Sequence, residues 1–323
     1  MANIIHLTTV HSRNDIRVFI KQCRSISGNG HNVWLFVADG LGSYCVEGVN
    51  IVDVGKPRNR LHRMLLLAWA MVRQAKRKNA DVYHLHDPEL TPYVWYLRAG
   101  GKSSVVFDVH EDIPKQILHK PYLNKTQALI ASKMFSWYES LVLSRFDFLI
   151  SATPAIGKRL LKYGKQVEVV NNYPIIGELS GRWAERQKEN KVCYVGGVSE
   201  MRGATEMLSA ISITKSESRL AIAGAFSTPA LENQCRNLKG WDKVDYLGFI
   251  NRADVGMLLS ESCAGLVLFH PLPNHMDAQP NKLFEYMSAG VPVIASNFPL
   301  WREVIERWNC GICVDPLLSL IHI

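Results

Sequence analysis

A chain of 323 residues, 47% apolar and 20% charged, is long enough for two domains with separate cores and excludes a disordered or fibrous protein. The longest helical apolar run, Met64 to Val72, falls far short of the ~20 residues of a membrane span, and the first ten residues read as a buried strand without a basic leader, so a cytosolic enzyme is expected. The net charge of +8 is uneven: residues 1–175 hold 23 Lys and Arg against 13 Asp and Glu, a balance of +10, and the remainder carries −2.

In chain order, Ile4 to Leu7 reads as a first strand and Thr8 to Asn14 as a polar loop. Ile16, Phe19, Ile20, Cys23 and Ile26 recur at helical spacing, and Gly28-Asn29-Gly30 stops that helix before a strand from Val33 to Ala38. This βαβ opening lacks G-x-G-x-x-G; His11, Asp15 and Arg17 occupy the loop and helix start instead. Asp15 either faces a cleft or caps the helix. Gly48 to Val54 reads as a third strand, followed by an amphipathic helix over Arg58 to Lys78. Leu61, Met64, Leu65, Ala68, Val72 and Ala75 form its expected core face; Arg60, Arg63, Arg73, Lys76, Arg77 and Lys78 lie elsewhere, with Trp69 at the boundary. Such a helix either packs on a sheet with a solvated basic face or lies on an anionic bilayer.

Val82 to His86 reads as a strand entering His86-Asp87-Pro88-Glu89. Alternation puts His84 and His86 on one face, which invites a metal-site reading, yet no further ligands appear at a recognisable spacing. Ser104 to Val109 is a strand ending in His110-Glu111-Asp112. A helix over 125–144, a strand over 148–151, a helix over 154–163 and a strand over 166–170 complete a Rossmann-like half, domain 1–172. Asn171-Asn172-Tyr173-Pro174 and the polar segment after it place a linker at 173–190, before a second domain over 191–323.

The second half restarts with Val192 to Val195 and Gly196-Gly197-Val198-Ser199-Glu200-Met201-Arg202-Gly203, ahead of a helix from Ala204. Further strands are read at 219–223, 244–246 with Leu247-Gly248-Phe249 after it, 264–269 and 311–314. Between them, Asp277-Ala-Gln-Pro-Asn281-Lys282-Leu-Phe-Glu285 runs from a turn into a helix, breaks at Gly290 and Pro292, and ends in an apolar strand. The start of such a helix offers unpaired N–H groups to an anion, and a diphosphate suits it.

This arrangement resembles glycosyltransferase family 4, the retaining sugar-nucleotide transferases of the GT-B fold, whose signature is two acids separated by seven residues before a helix break and an apolar strand. The resemblance covers nearly all of residues 1–316. It implies an α/β GT-B architecture, two Rossmann-like domains facing across an interdomain cleft. Asp277 stands where the family usually has Glu. By the resemblance Glu285 binds the donor ribose, and Asp277 and His110 position the donor sugar, these three forming the catalytic set. Gly197, Arg202, Gly248, Phe249, Asn281, Lys282 and Glu285 bind the donor, with Arg202 and Lys282 on its diphosphate. Asp15, Arg17, His86, Asp87 and Glu111 fall on the acceptor side. Family members continue with further helices, so the ending Leu-Leu-Ser-Leu-Ile-His-Ile reads as truncated.

The implied activity is transfer of a sugar from a nucleotide-sugar donor, a UDP-sugar foremost, to a hydroxyl of a glycan or lipid-linked glycan acceptor in bacterial surface-polysaccharide biosynthesis. No metal or other cofactor is expected, because Arg202 and Lys282 carry the charge that a metal carries in other transferases. The basic first half suits an anionic partner such as the inner face of the plasma membrane; no nucleic-acid module is present. Two alternatives are a catalytically silent nucleotide-sugar-binding protein and a metal-dependent hydrolase built on His84, His86, Asp87 and His110. Seven irregularly spaced cysteines argue against a disulfide framework.

Overall fold

A computed structural model describes residues 1–118, 120, 123–180, 187–214, 217–276 and 278–317. The chain divides into two compact units between Asn172 and Tyr173.

The first unit is an eight-stranded sheet built from β1 (Asn3–Leu7), β2 (Asn32–Val37), β3 (Tyr44–Val46), β4 (Val49–Asp53), β5 (Val82–Leu85), β6 (Ser104–Val109), β7 (Phe148–Ser151) and β8 (Gln166–Val169). Their order is β3-β4-β2-β1-β5-β6-β7-β8, parallel except for the β3–β4 hairpin. Glu47 and Gly48 turn that hairpin with positive φ at both positions, the backbone of a type I′ turn. Alternation along β2 sends Val33, Leu35 and Val37 to one layer, with Val18, Phe19 and Cys23. Phe36 goes to the opposite layer with Ile5, Leu7, Met71 and Val72. Both faces are covered, which is why these strands read as nearly continuous apolar runs.

Two helices of this unit begin with π-helical turns, Ile16–Cys23 and His62–Leu67. The second corrects an expected core face. An i→i+5 turn takes up an extra residue and rotates everything before it, so the buried set is Leu67, Ala68, Met71, Val72 and Ala75. Leu61, Leu65 and Leu66 point outward, 69%, 63% and 62% exposed. Lys76 leaves the expected basic face as well: its Nζ donates to the carbonyls of Leu97 and Ala99 at 2.6 and 2.7 Å.

The second unit holds β9 (Lys191–Val195), β10 (Arg219–Ala223), β11 (Val244–Gly248), β12 (Ala264–Val267), β13 (Val293–Ser296) and β14 (Gly311–Val314) in the order β11-β10-β9-β12-β13-β14. All pairings are parallel. The order reverses between β9 and β12, and in the first unit between β1 and β5; ligand-binding crevices of open parallel sheets lie at the carboxyl ends of such strands. All seven cysteines are free thiols, with Cys23, Cys193 and Cys235 buried. Among the described residues no helix is long and apolar enough to cross a membrane.

Gly265 in β12 admits the fully buried ring of Tyr286, which a Cβ at that position would overlap. The Tyr286 hydroxyl in turn accepts the backbone N–H of Val195 at 3.0 Å, fixing the end of β9. Gly265→Ala is therefore expected to destabilise the protein by about 1–3 kcal/mol, read as a lower urea midpoint. The loss should shrink in a Tyr286→Leu background; equal loss in both backgrounds would mean that the ring is not the obstacle.

Candidate active site

In the second unit the loop after β9 and the helix Asn281–Ser288 bring two cations together. Lys282 is 8% exposed, and its Nζ has no hydrogen-bond partner among the described residues. It stands 3.6 Å from the centroid of the Tyr194 ring and 5.5 Å from that of Phe269. Arg202 also lies over Phe269, its guanidinium carbon 5.5 Å from the centroid, and its Nη1 donates to the Gly197 carbonyl at 3.3 Å. The two glycines of the loop make room for both. A Cβ on Gly196 would sit 3.3 Å from Lys282 Nζ, and one on Gly197 3.2 Å from Arg202 Nη1. Gly196 also has φ +126°, and its carbonyl packs where a Cβ on Gly224 would lie, so the ends of β9 and β10 close on each other through glycine alone.

Burial, with the neighbouring Arg202 cation, holds the Lys282 pKa well below the ordinary lysine value, and Glu285 opposes this only in part. Pro280 caps the helix without a side-chain bond to it, which leaves first-turn N–H groups open to a ligand. Unpaired buried amine, guanidinium and helix start together form a receptor suited to an anion.

Three residues beyond Lys282, Glu285 accepts from Arg252 Nη1 at 2.7 Å, and Arg252 also grips Glu178 at 2.8 Å. Asn281 is exposed at the helix start. Gly248, at φ +61°, ends β11 and its carbonyl accepts from Gly224 N at 2.7 Å; Phe249 beside it is 90% exposed. Asp277 lies outside the described residues, as does the chain from 318 onward.

The first unit concentrates its chemistry at the carboxyl ends of β1, β5 and β6. Asp108 is buried and receives Arg17 through Nε at 2.9 Å and Nη2 at 2.7 Å, with Gln22 Nε2 at 2.7 Å. Burial pushes its pKa up, but His110 and Arg17 outweigh this and hold it well below the usual carboxylate range. His110 Nε2 lies 3.3 Å from Asp108 Oδ2 and 3.4 Å from His86 Nδ1. Asp87 Oδ2 accepts from the Thr8 hydroxyl at 2.9 Å and from Thr9 N at 2.6 Å. His11 links Asp15, at 3.1 Å, to Asp87, at 3.6 Å, and its ring lies 4.8 Å from that of His110. A cavity of about 320 Å³ opens beside these groups, with Asp87 and His110 on its polar side and Phe107, Phe135 and Leu143 on its apolar side.

The sequence matches the family described as Glycosyl transferases group 1 over residues 176–319 and that described as Glycosyltransferase Family 4 over residues 17–173. This chain belongs to glycosyltransferase family 4. It is a transferase with the α/β GT-B fold. Sucrose-phosphate synthase from Thermosynechococcus elongatus superposes with a TM-score of 0.73 at 16% identity, covering 99% of this chain and 87% of that one. Anabaena HepE, in complex with UDP and glucose, gives 0.70 at 15% identity, with coverage of 99% and 87%. The catalytic domain of starch synthase IV from Arabidopsis thaliana, bound to ADP and acarbose, gives 0.62 at 12% identity, with coverage of 91% and 83%. No curated protein matches the sequence.

Within this family member the structure brings together Gly197, Arg202 and Lys282 in one unit, and His86, Asp87, His110 and Asp15 in the other. Asp15 is a helix cap: its Oδ1 accepts from the N–H groups of Arg17 and Val18, both at 2.8 Å. Arg17 is 6% exposed and turned inward, its remaining Nη1 donating to the Val170 carbonyl at 2.7 Å. Glu111 is exposed and bonded to Gln116. Sequence reasoning missed Tyr194, Arg252 and Asp108. Only the placement of a charge opposite each could have signalled them; Tyr194 and Arg252 are far in sequence from Lys282 and Glu285, and Asp108, though next to His110, is far from Arg17.

Because the folded pKa of Lys282 lies below its unfolded value, the unfolded chain holds this proton more tightly, and stability is lost as pH falls from the unfolded value toward the folded one. Lys282→Met is expected to raise the stability of the free protein by roughly 1–3 kcal/mol while lowering its affinity for inorganic pyrophosphate at least about tenfold. Above the depressed pKa, wild type should take up a proton with pyrophosphate, so affinity falls as pH rises. Calorimetry in two buffers of different ionisation heat reads this uptake; no uptake, or affinity unchanged by the substitution, would rule the amine out as the anion's partner.

Proposed function

We propose that this enzyme moves a sugar from a nucleoside diphosphate donor, a UDP-sugar foremost, to a hydroxyl of a glycan or lipid-linked glycan, with retention at the anomeric carbon, in polysaccharide biosynthesis in the cytoplasm. The observation that carries the reading is the unpartnered Lys282 amine beside Arg202 at the β9–β12 reversal. Supporting it, HepE is a UDP complex of the same fold.

In this scheme the bond between the anomeric carbon and the diphosphate oxygen breaks first. Lys282 and Arg202 neutralise the charge that develops on the departing diphosphate, in a site where burial strengthens the interaction. The acceptor oxygen attacks from the face the leaving group vacates and gives its proton to a departing phosphate oxygen, so no protein nucleophile and no metal is needed. Glu285, steadied by Arg252, binds the ribose hydroxyls, and Gly248 and the exposed Phe249 border the base. The cavity beside His110 and Asp87 suits an acceptor that joins a hydroxyl-bearing head to an apolar portion.

Transfer from UDP-glucose to an octyl glycoside tests the reaction class. Proton NMR should show UDP release with an α-configured product, and Glu285→Ala should raise KM for the donor at least about tenfold. A β-configured product would overturn retention, and donor kinetics untouched by Glu285→Ala would remove that residue from the donor site.

The lipid-linked side of the reading rests on an exposed face carrying Leu61, Leu65, Leu66 and Trp69, with Arg58, Arg60, Arg73, Arg77 and Lys78 also exposed. Flotation with phosphatidylglycerol vesicles should carry the protein upward, and Leu65→Ser/Leu66→Ser or neutralisation of Arg73, Arg77 and Lys78 should abolish it. Equal flotation of the variants would contradict peripheral attachment through this helix.

A further inference from the structure

We infer that His6, His84 and His86 form a binding site for one divalent cation of the zinc type, buried in the first unit where β1 and β5 run side by side. The register pairs His6 directly with His84, and strand alternation returns the chain to the same face at His86. His86 stacks on His84 and on His6, with centroids 4.5 and 5.2 Å apart, and the His6 and His84 rings are tilted against each other at 4.6 Å. One ring nitrogen from each lies within 4.8 Å of those of the other two. Zn–N bonds of about 2.0–2.1 Å in tetrahedral geometry put ligand nitrogens about 3.3 Å apart, so the rings need only a small inward rotation to share an ion.

The chemistry of the donor set fits such an ion. All three imidazoles are almost wholly inaccessible, at 0%, 6% and 2% exposure, and burial favours the neutral imidazole, the state in which its nitrogen ligates. The Nε2 atoms of His6 and His84 are buried without a hydrogen-bond partner among the described residues, a condition that costs about 1–3 kcal/mol per group when nothing satisfies it. His6 Nδ1 and His86 Nε2 are 2.9 Å apart. The tautomer that donates from His6 Nδ1 leaves His6 Nε2 a bare lone pair and puts the His86 proton on Nδ1; an entering ion replaces this hydrogen bond and takes the lone pair of His86 Nε2 instead. That nitrogen lies 3.7 Å from Asp108 Oδ2. A ligating histidine whose other nitrogen faces a carboxylate is the usual outer arrangement of a zinc site. Arg17, on the same carboxylate, holds that partner in place.

Nitrogen donors without oxygen favour zinc or cobalt over magnesium or calcium. Three imidazoles leave the fourth tetrahedral position to one water enclosed with the ion; because the cluster is otherwise closed to solvent, the ion's role is structural. It ties β1 to β5 and fixes His86, and through it His110, at the rim of the acceptor-side cavity. This goes beyond the transferase reading and does not depend on it. The hydrolase alternative drew on His84, His86, Asp87 and His110; the missing ligand is His6, 78 residues before His84 in sequence and its neighbour in the sheet.

Full-length protein without a histidine tag, grown with zinc and purified without chelator, is expected to carry equimolar zinc by elemental analysis. After stripping, it should take up cobalt(II) with the strong visible absorption of a tetrahedral nitrogen site. Stripping should lower the thermal midpoint of wild type and leave that of His84→Phe unmoved; His6→Phe and His84→Asn should bind neither metal. Substoichiometric zinc with no cobalt absorption in wild type, a measurement that needs no variant to fold, would overturn the site. So would a variant lacking His6 or His84 that retains the ion.

Discussion

The structure of the second unit turns on one buried amine. Lys282 is held over the face of Tyr194 with no hydrogen-bond partner among the described residues, at a point where the strand order reverses and Gly196 leaves room for its Nζ. Removing an ammonium from water without a partner is unfavourable, and the packing around it holds the amine in place. The Tyr286 hydroxyl ties the end of β9 to the helix bearing Lys282, Gly265 makes space for that ring, and Ser296 bridges β13 to the N–H of Phe269 at 2.7 Å. In the proposed transfer, a site that is destabilised when empty and satisfied by an anion would match its binding energy to the diphosphate whose charge grows as the donor bond breaks.

The two units use the same architecture for opposite chemistry. Each reverses its strand order beside its first strand and gathers polar side chains at the carboxyl ends there. In the second unit these are the cations Lys282 and Arg202, the first without a hydrogen-bond partner among the described residues. In the first they are histidines and carboxylates already paired with one another, Asp108 with Arg17 and His110, Asp87 with Thr8 and Thr9. The Asp108 and Asp87 networks are preformed and satisfied, whereas the Lys282 amine is left unsatisfied and suits an anion.

Much of this is legible in the sequence. Strands covered on both faces, such as β1, β2 and β9, are apolar runs too short to be helices, and the βα alternation points to parallel sheets. The hairpin strand β3 escapes such a reading because Tyr44 and Cys45 are exposed and carry no apolar pattern. The face of the helix after His62 is misjudged because a π-helical turn has no signature in a 3.6-residue period. Of the site, Arg202, Lys282 and Glu285 are visible through local spacing on one loop and one helix. Arg252, which holds Glu285 from 33 positions away, and His6, which meets His84 across a strand pair, are not. The first contact depends on how two helices pack and the second on strand register, and both are properties of the folded unit.

The most direct measurement is calorimetric titration of UDP, with GDP and ADP as comparators, into wild type, Lys282→Met and Glu285→Ala. A donor site built on the diphosphate and the ribose predicts selective UDP binding in wild type, weakened in both variants, with the Lys282 variant folded and at least as stable as wild type. Binding of UDP undiminished in both, or no binding of any nucleotide by folded wild-type protein, would contradict it.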